Sequence, residues 1–84
     1  ALVEYEECIR RRPDLSGPYN NLAALLTEKK RDIGRAIELA SEACSRTDWK
    51  DWNTIDTLAA AYAAAGRFAE AAKFQGQAAT VAPS

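Results

Sequence analysis

Few side chains in this sequence are equipped for catalysis. It has no His, which removes the commonest general base and the commonest neutral metal ligand. The two thiols, Cys8 and Cys44, fall among regularly spaced apolar residues, where Cys behaves as a small hydrophobe. They would lie on separate helices at unequal heights, so a disulfide, which needs Cα atoms within about 7 Å, is not expected. Glu4, Glu6 and Glu7, like Glu38 and Glu42, read as solvated helix faces. No Gly-rich phosphate loop is present. The expectation is a chain that is not an enzyme and needs no cofactor or metal. What remains is polar recognition chemistry. Asn20, Asn21 and Asn53 carry amides that donate and accept at once, a property suited to an extended peptide backbone.

The elements that must position these residues are legible as apolar spacings. Ile55, Leu58, Ala59 and Tyr62 recur at i, i+3, i+4 and i+7, which places them on one helix face. Gly66 falls where that pattern stops and can take the positive φ that ends a helix. Phe68, Ala71, Ala72, Gln75, Ala78, Ala79 and Ala82 form a second stripe, which Pro83 closes. The alanines on facing stripes let two helix axes approach to the short end of the usual range of about 8–10 Å.

Upstream the same grammar repeats. Tyr19, Leu22, Ala23 and Leu26 make one stripe, and Ile33, Ala36, Ile37, Ala40, Ala43, Cys44 and Thr47 make another. Ser16 is placed to cap the first of these helices, Pro18 fits its first turn, and Asp32 is placed to cap the second. The turn-rich stretch from Asp14 to Gly17 precedes them. Ala1, Tyr5, Cys8 and Pro13, with Leu2, Ile9 and Arg12, look like one further helix. Ala1, Ala36 and Ala71 are thirty-five residues apart, and Cys8, Ala43 and Ala78 keep the same step, as do Pro13, Asp48 and Pro83. Leu22 to Ala36 is fourteen residues and Leu58 to Ala71 thirteen, so the turn at Lys29-Lys30-Arg31-Asp32 carries one extra residue, which a loop tip tolerates.

This spacing resembles the tetratricopeptide repeat, whose pattern is Trp-x2-Leu-Gly-x2-Tyr, then Ala-x3-Phe, then Pro. Ile55 stands at the Trp position and Ala59 at the Gly position, while Leu58, Tyr62, Ala71 and Pro83 match; Gln75 replaces the aromatic, with Phe74 one residue early. The resemblance implies an all-α, right-handed superhelical solenoid of antiparallel hairpins with five helices. Residues 1–14 would be the second helix of a truncated repeat, and 15–49 and 50–84 two full repeats. Trp49 and Trp52 would plug the junction between those repeats; an exposed aromatic pair on a binding edge is the other reading.

Composition narrows the partners. The 84 residues carry a net charge of −1, so no whole-chain field draws in nucleic acid or an anionic membrane. No apolar run approaches the ~18 residues needed to span a bilayer. Arg10-Arg11-Arg12 and Lys29-Lys30-Arg31 suit helix C-termini, where cations meet the negative end of the dipole. Their sharper reading is a phosphate-binding edge, because a thirty-five-residue hairpin also resembles the pentatricopeptide repeat of RNA readers. The chain has no initiator Met and opens inside a repeat, which reads as a piece of a longer protein with self-association through its truncated ends. Two core thiols fit a reducing cytoplasm without excluding a secreted chain.

In the tetratricopeptide family the first helices line a concave groove that receives a peptide or a partner's helix. Here the resemblance assigns the groove to Asn20, Asn21, Ala24, Thr27 and Glu28 of one first helix and to Asn53, Asp56, Thr57, Ala60 and Ala63 of the next, with Ala64 alongside. Asn21 falls where peptide-binding members of the family place an Asn. The carboxylate-binding members also need Lys and Arg in the groove, and Asp56 would repel a terminal carboxylate, so that specificity is not expected. A structural role, as spacer or assembly element of a longer protein, is the alternative to a protein-binding groove.

Overall fold

Helices form wherever those stripes run. The computed structural model describes residues 2–12 and 16–82, without the side chains of Leu2 and Tyr5. It contains α1 (Leu2–Arg11), α2 (Ser16–Glu28), α3 (Ile33–Arg46), α4 (Trp52–Ala64) and α5 (Phe68–Val81), and no strand among the described residues. Ala1, Pro13, Pro83 and the expected turn at Asp14 lie outside the described residues, as do the side-chain roles expected of Leu2 and Tyr5.

Three helices, α2, α3 and α4, end by one device. At the end of α4, Gly66 takes φ 80, its N–H donates to Ala63 O and the Arg67 N–H donates to Tyr62 O. This pair of bonds satisfies carbonyls that the last turn leaves without partners, the Schellman arrangement. The end of α2 repeats it with Lys30 at φ 54, Lys30 N–H to Thr27 O and Arg31 N–H to Leu26 O. The end of α3 repeats it again with Asp48 at φ 55, Asp48 N–H to Ser45 O and Trp49 N–H to Cys44 O. A proline could not occupy position 48, since its φ is locked near −65° and it has no N–H. That explains why Asp stands there out of step with Pro13 and Pro83.

Helix starts depart from expectation in two places. Ser16 is the first helical residue of α2, one step inside the expected cap. Asp32 precedes α3 but takes φ 50, and its side chain makes no capping bond. Side-chain capping needs an extended backbone. Asp51 has one, with φ −99 and ψ 107, and its carboxylate accepts the Asn53 N–H at 3.0 Å. The connection between α2 and α3 is four residues and that between α4 and α5 is three, as the spacing predicts.

Packing is sequential with one addition. Each helix packs on the next, and α2 also packs on α4, while α1, α3 and α5 do not pack on one another among the described residues. The shortest principal dimension is 17 Å, room for two helix layers at about 8–10 Å separation. The core is built from Tyr19, Leu22, Ala23 and Leu26 of α2, Ala36, Leu39, Ala40, Ala43 and Cys44 of α3, and Ile55, Leu58 and Ala61 of α4. Ala59 is buried too, and Tyr62 is half-buried against the same core.

The α5 stripe is turned relative to expectation. Ala71 and Ala78 are buried, but Phe74 packs inward while Phe68, Ala72, Gln75 and Ala79 are exposed. Burying an aromatic ring is worth far more than burying an amide, so Phe74 decides which face of α5 turns in. Cys8 is likewise exposed, because α1 points Ile9 at the core and leaves its neighbour outside.

Two substitutions test these geometries by urea denaturation. Ala59→Leu should cost about 1–3 kcal/mol by overpacking a close helix contact. Asp48→Gly should raise stability by about 0.5–1 kcal/mol by removing the Cβ strain of the left-handed conformation.

Candidate interaction face

The buried stripes of α2 and α4 determine which residues these helices present outward. On α2, Asn21, Ala24 and Glu28 are exposed, and Asn20 and Thr27 are half-buried at the edge of the same face. On α4, Asn53, Asp56, Ala60, Ala63 and Ala64 are exposed and Thr57 is half-buried. All ten residues expected of a groove are therefore at least partly accessible. Their two helices pack directly on each other.

The face offers acceptors more than donors. Thr27 Oγ1 donates to Ala23 O at 2.8 Å and Thr57 Oγ1 to Asn53 O at 3.0 Å, so both hydroxyl protons are spent within their own helices. Asn20 Oδ1 is enclosed and has no hydrogen-bond partner among the described residues. Glu28 and Asp56 are the only charged residues of α2 and α4, and neither forms an ion pair among the described residues.

Elsewhere several charges pair. Arg10 and Arg11 both pair with Glu7, at 2.7 and 3.0 Å, which agrees with a stabilising role at the end of α1. Arg35 of α3 pairs with Glu6 of α1, and Arg46 pairs with Glu42 at 2.8 Å while lying over the Tyr19 ring. A cavity of about 220 Å³ opens beside the Arg35–Glu6 pair, lined also by Leu22, Leu26, Arg31 and Asp32. No group of three metal-ligating side chains converges among the described residues, and no described helix is long and apolar enough to cross a membrane.

The two tryptophans separate. Trp49 stacks on Phe74 with centroids 5.8 Å apart, and Phe74 stacks on Tyr62 at 5.4 Å and an interplanar angle of 9°. The Arg67 guanidinium lies 5.1 Å from the Tyr62 centroid and closes the column. Trp49 thus plugs the junction between α3 and the α4–α5 pair, whereas Trp52, at the solvent end of α4, is 42% exposed. Sequence spacing gave no hint of the column beyond the displacement of Phe74 by one residue.

The comparisons with known proteins return nothing: no family model, curated protein or solved structure matches this chain.

The thiols behave oppositely. Cys44 is fully enclosed, and burial pushes its thiol above its ordinary 9.0; a hydrogen bond with Thr54 opposes the rise and Asp51 adds to it. An acid whose pKa is raised by folding contributes stability below its unfolded pKa and loses it as pH rises past that value. Stability should therefore fall above about pH 9 more steeply in the native sequence than in Cys44→Ala, measured by urea melts from neutral to alkaline pH. In the native state a thiol reagent should modify Cys8 in one fast step and reach Cys44 only on unfolding.

Proposed function

We propose that this chain is a segment of a tetratricopeptide-like solenoid whose α2–α4 face binds a peptide or a helix of another protein. The observation that carries this reading is the side-by-side packing of α2 and α4, each with polar and small residues on the face opposite its buried stripe. Internal repetition supports it. Tyr19, Leu22, Ala23 and Leu26 correspond at a step of thirty-six residues to Ile55, Leu58, Ala59 and Tyr62, and Ala36 and Ala43 correspond at thirty-five to Ala71 and Ala78. A hairpin that cannot bury its apolar face alone stacks on its neighbour, and such stacks expose extended surfaces used for binding.

On this face Asn21 and Asn53 meet the backbone of the bound segment. Ala24, Ala60 and Ala63 leave room for close approach. The chain binds, and does not transform, its partner. The acidic character of α2 and α4 does not favour RNA as the ligand.

One observation favours the assembly reading. Phe68 is 70% exposed on α5, beside exposed Ala72 and Ala79. Assembly through that face would leave binding insensitive to the α2–α4 residues.

The test is a pull-down comparing the native sequence with a triple Asn21→Ala, Asn53→Ala, Asp56→Ala variant of unchanged helicity. Proteins captured by the native chain and lost by the variant support the groove; capture unaffected by the variant moves function to the packing faces.

A further inference from the structure

The charges of this molecule are sorted by helix. α2 and α4 contain one carboxylate each, Glu28 and Asp56, and no cation. The helices α1, α3 and α5 carry both signs; there Glu6, Glu7, Glu42 and Glu70 are ion-paired to arginines, and Glu4 and Glu38, which have no ion pair among the described residues, stand on helices that carry arginines of their own. Glu28 and Asp56 are exposed and have no such partner among the described residues, although the molecule as a whole is almost neutral. Their carboxylates belong to outward stripes of two helices in contact, among Asn, Thr and Ala side chains, with the cations Lys29, Lys30 and Arg31 in the turn beyond the end of α2.

We infer that the polypeptide taken up on the α2–α4 face is basic, with Lys or Arg side chains that pair with Glu28 and Asp56. The inference rests on the face proposed above and adds the chemistry of its ligand. An unpaired carboxylate remains solvated until a cation arrives, and a ligand cation is the complement that gains from both. An acidic segment or a terminal carboxylate meets repulsion from the same groups. Neither α2 nor α4 offers a fixed cation to offset it. Exposed ion pairs contribute little individually, so the expected preference is modest, about three- to tenfold for two pairs, and it weakens as added salt screens them.

The test uses three fluorescent peptides of about twelve residues that share one Leu/Ala/Ser framework and differ only in carrying Lys, Gln or Glu at the same four positions. Fluorescence anisotropy at low salt should order them Lys, Gln, Glu in the native sequence, with the Lys peptide about three- to tenfold tighter than the Gln peptide. In a Glu28→Gln, Asp56→Asn double variant the Lys and Gln peptides should bind alike, whereas Glu38→Gln on α3 should leave the preference intact. Equal binding of the Lys and Gln peptides to the native chain, or a preference that survives the double variant, overturns the inference while leaving the face in place. If none of the three binds, the face itself fails along with its charge.

Discussion

The architecture depends on the close approach that α3 permits on two sides. Ala36, Ala40, Ala43 and Cys44 are completely enclosed, and α3 packs on both α2 and α4. Small side chains at those positions allow both neighbours to come near, and interiors packed at crystal-like density leave little room for anything larger. With α2 and α4 both held by α3, the two can also pack on each other. Polar groups reinforce the end of this joint. Thr47 Oγ1 donates to the end of α3 and lies 3.3 Å from the Thr54 hydroxyl, and Thr54 Oγ1 donates to Asp51 O at 2.9 Å.

The outer helices are held differently. α5 is anchored by aromatic stacking, since Phe74 lies between Tyr62 and Trp49 and few other large side chains of α5 turn inward. Stacked rings contribute about 0.5–1.5 kcal/mol beyond their burial. α1 packs on α2 and reaches α3 through the Glu6–Arg35 pair, whose partners are both about half-exposed. An exposed pair of this kind adds about 0–1 kcal/mol. Stability should therefore be graded along the chain, greatest in α3 and least in α1.

The inward faces of α2, α3 and α4 were readable in outline because their periodicity is dense and their inward residues are mostly aliphatic, although Leu39, Thr54 and Ala61 also turn inward outside the expected stripes. The α5 face was not, because alanines on several sides of a helix give a pattern with more than one solution. There the single large residue, Phe74, decides the rotation, and it stands one place away from the repeat pattern. Capping followed backbone conformation and not residue type: Asp32 and Asp51 have the same side chain, yet only Asp51 has the extended backbone that lets it cap. The exposure of the candidate binding residues followed from the inward stripes alone. Their unpaired carboxylates emerged only once the ion pairs of the other helices were known.

These relations make α3 the keystone that holds the α2–α4 face together, and native-state hydrogen exchange measures that directly. Amides from Ala40 to Cys44 should exchange only through global unfolding, with protection equal to the stability found by urea denaturation. The amides of α1 should exchange sooner, through local opening. Exchange in α3 as fast as in α1 or α5 would contradict the account, since the face would then lack the rigid support assigned to it.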